Sequence, residues 1–281
     1  MGHKDHKGCT KNTKWKIYMD LQLKDKIIIV TGGAKGIGEG IVKALAVEGA
    51  IPVIVGRNEE DNLKLVNEVA STGGKSWQVK AELTEPSECI KAVNAIVNEF
   101  DRIDGLVNNA GVNDGVGLEH GSYEKFMHSL HKNLVHYYMM AQLSLPRLKK
   151  SKGAIVNISS KTAETGQGNT SAYAASNGGR NALTREWAVE LLKYGIRVNA
   201  VVVAECFTPL YEKWIMTLPN PKEKLKEIES KIPLGNRMTT VEEIANAVAF
   251  LLSPCSSHTT GQLIHVDGGY VHLDRALANA Y

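Results

Sequence analysis

Residues 26–38 read KIIIVTGGAKGIG, and this stretch decides the fold. Its first half is a short run of β-branched residues, which predicts a buried strand over Lys26–Val30. Its second half is a glycine cluster, after which Ile37 and Ile41 begin an apolar pattern with helical spacing. A strand, a glycine-rich turn and a helix in this order predict a phosphate-binding corner.

The rest of the chain continues the alternation of strand and helix. It predicts an α/β fold: a doubly wound parallel sheet in three layers, forming a single domain over residues 19–281. Residues 1–18 are rich in lysine and lack an apolar segment, so we expect a flexible N-terminal extension outside that domain. Further strands are predicted at Ile51–Val55, Ser76–Leu83, Gly105–Val107, Ala154–Ser159, Arg197–Val203 and Leu263–Val266, long helices at 123–148 and 172–193, and an irregular excursion at 207–231.

Composition excludes several function classes. The net charge of +3 is too small to indicate nucleic-acid binding. No apolar run reaches the roughly 18 residues of a membrane span. The four cysteines, Cys9, Cys89, Cys206 and Cys255, form no CxxC pair, so we expect free thiols, no metal site and a cytoplasmic protein.

The glycine loop is the predicted cofactor site. Its backbone N–H groups and the following helix N-terminus suit a pyrophosphate, which assigns cofactor binding to Gly32, Lys35, Gly36, Ile37 and Gly38. The second strand ends in Val55-Gly56-Arg57, where an acidic residue would favour NAD. Two cations, Lys35 and Arg57, and no carboxylate favour NADP instead, with NAD as the alternative.

Six motifs together resemble the short-chain dehydrogenase/reductase family. They span residues 21–270 in the family's order: TGGAKGIG at 31–38, NNAG at 108–111, Asn133, Ser160, Tyr173 and VDGG at 266–269. The resemblance implies a Rossmann-like sheet, an adenine site at Glu82 and Leu83, and a ribose site at Asn109, Ala110 and Gly111. It also implies carboxamide contacts near Cys206 and Thr208, and nicotinamide-ribose contacts from Tyr173 and the residue four positions later.

Ser160 and Tyr173 form the predicted proton-transfer pair. Oxidation of a carbinol needs a base for the hydroxyl proton and a donor that stabilises the developing oxyanion. Tyr173 suits the first role and Ser160 the second. In the family, Asn133 anchors a water chain to a lysine placed four residues after the tyrosine.

Asn177 occupies that lysine position in this chain. An amide can hydrogen-bond ribose hydroxyls but carries no charge, so the phenolate loses a close cation. A free tyrosine has a pKa near 10, and about one molecule in a thousand is ionised at pH 7. The sequence therefore predicts turnover impaired by about 10²- to 10³-fold, and at least about a tenfold gain in Asn177→Lys. A replacement in an active enzyme and a natural loss of activity both remain open.

The substrate loops are polar, which favours a sugar. Residues 113–115, 159–163, 165–170, 184–188, 208–211 and 272–276 resemble the bacterial L-fucose dehydrogenase branch, which oxidises C1 of aldoses to the lactone. Asp274 and Arg275 are expected to reach a neighbouring subunit in a homotetramer or homodimer. The alternatives are a silent nucleotide-binding sensor or scaffold and a reductase of another carbonyl substrate. The predicted sugar contacts are Asn113, Lys161, Gln167, Glu205 and Trp214.

Overall fold

A computed structural model describes residues 20–273 and contains one seven-stranded parallel sheet in the order β3-β2-β1-β4-β5-β6-β7. The predicted extension at 1–18 lies outside the described residues, as do Asp274 and Arg275. The strands are β1 Ile27–Thr31, β2 Ile51–Gly56, β3 Trp77–Lys80, β4 Gly105–Asn108, β5 Ala154–Ser160, β6 Arg197–Val203 and β7 Leu263–Val266.

Helices cover both faces of the sheet, which confirms the predicted doubly wound α/β class. Because the helices bury both faces of this parallel sheet, its strands are strongly apolar. The helices are α1 Gly36–Val47, α2 Glu59–Ser71, α3 Pro86–Phe100, α4 Tyr123–Leu130, α5 His136–Ser151, α6 Ser171–Leu191, α7 Pro209–Ile215, α8 Pro221–Glu229 and α9 Val241–Leu252.

Two apolar clusters hold the three layers together. On one face α1, α2 and α9 pack on the sheet, with Ile41 and Val248 fully buried. On the other face α3, α5 and α6 pack on it, with Met140 fully buried and Trp187 6% exposed. Burying an aliphatic or aromatic side chain of this size contributes about 1.5–3 kcal/mol, so the sheet is a rigid platform for its loops.

The strand order changes direction between β1 and β4. From β1 the chain moves outward to β2 and β3, then returns to place β4 on the opposite side of β1. Loops that leave the carboxyl ends of β1 and β4 diverge there and form a crevice, where doubly wound sheets bind their ligands. The excursion after β6, with α7 and α8, lies over the same end of the sheet. Within the described residues, no helix has the length and apolarity that a bilayer crossing requires.

A single π-helical turn, His131–Val135, interrupts the predicted long helix between α4 and α5. Such a turn inserts extra backbone into one helical repeat and is frequent at functional sites. It contains Asn133, whose side chain is fully buried. The sequence predicted a continuous helix here, because the widened turn has no distinct composition.

Candidate active site

A cavity of about 790 Å³ opens at the carboxyl ends of β1, β4 and β5. It extends from the glycine loop to α7, so one space joins the predicted cofactor and reaction sites. Sixteen of the residues predicted from the sequence line it: Gly32, Lys35, Gly36, Ile37, Gly38, Arg57, Glu82, Leu83, Asn109, Ala110, Gly111, Asn113, Ser160, Tyr173, Cys206 and Thr208.

The glycine loop has the geometry of a dinucleotide cradle. Gly32 and Gly36 have φ angles of +62° and +59°, a region that side chains with a Cβ disfavour. A Cβ on Gly36 would lie 3.3 Å from Thr208, and one on Gly38 would collide with the Gly32 carbonyl. Because α1 begins at Gly36, its free N–H groups face the cavity, so the residues present fit a pyrophosphate.

Asn109 and Thr31 fasten the loop after β4 to the glycine loop. Asn109 Nδ2 donates to the carbonyls of Thr31 at 2.9 Å and Gly32 at 3.2 Å. In return, Thr31 Oγ1 accepts the backbone N–H groups of Asn109 at 2.9 Å and Ala110 at 3.1 Å. These four bonds hold both sides of the crevice at fixed separation.

The adenosine end of the cavity carries two cations, each with a carboxylate neighbour. Lys35 Nζ lies 2.6 Å from Asp61 Oδ2, and Arg57 Nη1 lies 3.7 Å from Glu82 Oε2. Asp61 and Glu82 thus offset the two positive charges that favour NADP, and neither carboxylate was expected beside them from the sequence. A Cβ on Gly56 would lie 2.9 Å from Asn62 Oδ1, so an acidic side chain there would require Asn62 to shift.

Ser160 ends β5 and Tyr173 lies in the first turn of α6, and both line the cavity. Asn133 lies behind them. Its Oδ1 accepts the Val112 N–H at 2.7 Å, and its Nδ2 donates to the Ser129 carbonyl at 3.0 Å. Both ends of this amide are therefore engaged in holding the loop after β4 and the π-turn.

Asn177 is fully buried and does not line the cavity. Its Nδ2 donates to the Tyr173 carbonyl at 2.8 Å. Its Oδ1 accepts from Arg180 Nη1 at 2.9 Å. The side chain expected to meet the nicotinamide ribose is thus directed at a neighbouring guanidinium.

Arg180 is the site residue that the sequence argument missed. It lines the cavity although it is only 3% exposed. Its Nε donates to the Asn133 carbonyl at 2.7 Å, and its Nη1 to the Ile158 carbonyl at 3.1 Å. The guanidinium carbon lies 5.9 Å from the centre of the Tyr173 ring. An available clue was its position seven residues after Tyr173, on the same face of α6.

His136 and Tyr137 form the wall behind Arg180. Burial, helped by the Arg180 charge, lowers the pKa of His136 to about 4, so this ring is neutral near pH 7. Burial also raises the pKa of Tyr137 far above its usual range. Its ring lies under the guanidinium, with 4.3 Å between the Arg180 carbon and the ring centre.

The predicted sugar contacts divide between the cavity and its surroundings. Asn113 lines the cavity, and so does its neighbour Asp114, which lies 3.6 Å from Lys132. Lys161 and Glu205 lie outside the lining and form a buried ion pair with each other. Lys161 also lies 4.0 Å from the centre of the Tyr270 ring. Gln167 is exposed, and Trp214 packs edge-on against Tyr211 with 5.0 Å between ring centres.

Comparisons with known proteins agree with this geometry. The family model described as "Enoyl-(Acyl carrier protein) reductase" matches residues 32–271. The chain is 34% identical to "L-fucose dehydrogenase" of Bos taurus, covering 93% of this chain and 96% of that one. It is 37% identical to the "3-oxoacyl-[acyl-carrier-protein] reductase FabG" of Thermotoga maritima, covering 89% and 100%. The crystal structure of "Cj0485 dehydrogenase" superposes with a TM-score of 0.87 at 49% identity, covering 92% and 99%.

Proposed function

The chain belongs to the short-chain dehydrogenase/reductase family, and from that premise we propose that it oxidises C1 of an aldose such as L-fucose with NADP, giving a lactone. One observation carries the proposal: a single cavity joins the glycine loop to Ser160 and Tyr173. The resemblance to L-fucose dehydrogenases supports a sugar as the substrate.

The reaction transfers a hydride and a proton, and a hydrogen bond stabilises the C1 oxygen. The C1–H bond of the cyclic sugar breaks, and its electron pair leaves with the hydride. When bound, the nicotinamide supplies the acceptor for that hydride. Tyr173 takes the proton of the C1 hydroxyl, and Ser160 donates a hydrogen bond to the C1 oxygen as it becomes a carbonyl.

Polar groups in the cavity support a hydroxylated substrate. Asn113, Asp114 and Lys132 all line it on the side formed by β4 and the π-turn. Donors and acceptors of this kind suit several sugar hydroxyls around one reactive carbon, because a buried polar group without a partner is costly. An acyl chain would gain no hydrogen bonds from these groups, which makes acyl reduction, the activity named for the Thermotoga maritima relative, the second candidate.

We propose NADP rather than NAD, with NAD as the alternative. Arg57 is 80% exposed at its side chain and is free to turn from Glu82 to a 2′-phosphate. Charge-assisted contacts of this kind are worth about 1.5–3 kcal/mol, which corresponds to roughly 10- to 100-fold in affinity. We further propose a homotetramer or homodimer that works in the cytoplasm, without nucleic acid or membrane as a partner.

The test is a panel of substrates, with turnover measured from the absorbance of the reduced nicotinamide. The protein is assayed with NADP and NAD against L-fucose, D-arabinose and other aldoses, and with NADPH against acetoacetyl-coenzyme A. We expect oxidation of an aldose, and loss of that activity in Tyr173→Phe. Reduction of the thioester without aldose oxidation would establish the second candidate. Cofactor binding without any turnover would establish the silent sensor or scaffold.

A further inference from the structure

Arg180 is a buried cation without an anionic partner. Its exposure is 3%, and its hydrogen bonds go to neutral groups: two backbone carbonyls and the amide oxygens of Asn177 and Asn133. Among residues 20–273, no carboxylate lies within ion-pair distance of its guanidinium. Burying an unpaired charge costs stability, so an arrangement of this kind requires compensation.

Tyr173 is the member of the predicted proton-transfer pair that lies near Arg180. The guanidinium carbon lies 5.9 Å from the Tyr173 ring centre, and both residues line the same space. A Cβ added to Gly111 would lie 2.8 Å from Arg180 Nη2, so this nitrogen lies against the loop after β4. The guanidinium therefore lies between the Tyr173 ring and the loop after β4.

We propose that Arg180 supplies the positive charge that the absent lysine at position 177 would have supplied, and that it acts as a positioning residue for proton transfer by Tyr173. This inference rests on the proposed function. Asn177 then has a defined role, since its amide oxygen fixes the guanidinium 2.9 Å away and its Nδ2 holds the backbone of Tyr173. Asn177 and Arg180 thus form one hydrogen-bonded unit.

The size of the effect follows from Coulomb's law. The guanidinium carbon lies 5.9 Å from the Tyr173 ring centre, and with that length taken as the charge separation, an effective dielectric of about 20 favours the ionised form by on the order of 10²-fold. That factor recovers most of the loss expected from the absence of a lysine. Because the guanidinium stays protonated at every assay pH, the effect does not depend on its own titration.

The other ionisable groups of the site do not stabilise a Tyr173 phenolate in the same way. His136 is neutral because burial lowers its pKa to about 4, and burial raises the pKa of Tyr137 out of the assay range. Lys132 and Lys161 each have a carboxylate partner, Asp114 and Glu205, and burial raises the pKa of the Cys206 thiol to about 12.

The decisive variants are Arg180→Gln, which removes the charge, and Arg180→Lys, which keeps it. We expect Arg180→Gln to lower turnover at pH 7 by about 10²-fold, with a loss that shrinks as pH rises. Arg180→Lys should stay within about tenfold of the parent. The combined Asn177→Lys, Arg180→Gln protein should recover turnover. Arg185→Gln, which removes an exposed arginine from the same helix, is the matched control and should change nothing.

A structural role alone would lower the melting temperature of Arg180→Gln and leave the shape of its pH–rate profile unchanged, and that result would overturn the proposal.

A second readout needs no substrate. The protein has nine tyrosines, so tyrosinate absorbance is titrated as a difference between each form and its Tyr173→Phe counterpart. We expect the difference signal to appear at higher pH in Arg180→Gln than in the parent. Coincident titrations would refute the role of Arg180 even if no aldose is oxidised, whereas a shift without turnover would refute only the proposed substrate.

Discussion

The sequence and the structure predict different outcomes for the replacement of Asn177 by lysine. The side chain at 177 is fully buried, and its amide oxygen lies 2.9 Å from Arg180 Nη1. An ammonium group about 4 Å from the guanidinium would be repelled by about 4 kcal/mol at an effective dielectric of 20. The replacement also removes the hydrogen bond from Arg180. A lysine side chain can extend toward the cavity, which relieves part of this repulsion. We therefore expect a net loss of about 3 kcal/mol in the free energy of unfolding.

The assay is urea unfolding at pH 7 together with steady-state turnover. Ala182→Lys, an exposed position on the same helix, is the control and should change the free energy of unfolding by less than about 0.5 kcal/mol. We expect Asn177→Lys to gain less than about tenfold in turnover, because Arg180 already supplies a charge. A variant as stable as the parent and at least about tenfold faster would refute this reasoning and restore the expectation from the sequence.

Three further outcomes are expected. Tyr173→Phe should lower turnover by at least about 10²-fold and weaken cofactor binding by no more than about tenfold, the size of one lost ribose hydrogen bond, as nicotinamide fluorescence will show; a variant retaining turnover would remove Tyr173 as the base. Arg57→Ala should weaken NADP by about tenfold or more and leave NAD unchanged, as calorimetric titration will show; equal losses for both would exclude a 2′-phosphate contact. The folded-state pKa of His136, about 4, is below the unfolded value near 6.5, so the neutral ring favours the folded state. Its contribution to the free energy of unfolding, about 3 kcal/mol, is complete above pH 6.5 and disappears as pH falls toward 4. His136→Leu should therefore reduce the difference in unfolding free energy between pH 7 and pH 4.5; an unchanged difference would contradict a buried neutral ring.

Most of the fold follows from local sequence pattern. The predicted strands Arg197–Val203 and Leu263–Val266 have the same bounds in the structure. β3 is shorter than its predicted Ser76–Leu83, because this edge strand pairs on one side only, over Trp77–Lys80. Apolar runs and glycine turns are local signals, whereas the length of an edge strand depends on its neighbour.

The site was harder to predict, because side-chain direction depends on tertiary packing. Lys161 and Glu205 were both expected to face a sugar, yet they come from loops after β5 and β6 that meet and form an ion pair. Asn177 was expected at the ribose, and Arg180 was not singled out. The sequence contains a hint, since residues 172, 176, 180, 184, 187 and 191 of α6 are buried and Arg180 is the charged member of that face.

The transfer of hydrogen from C1 of the sugar is the central claim, and isotope labelling tests it directly. L-fucose deuterated at C1 is incubated with the protein and NADP or NAD, and both products are analysed by mass spectrometry and NMR. We predict deuterium on the nicotinamide ring and an unlabelled lactone. Deuterium that stays on the sugar while the cofactor is bound would contradict the account.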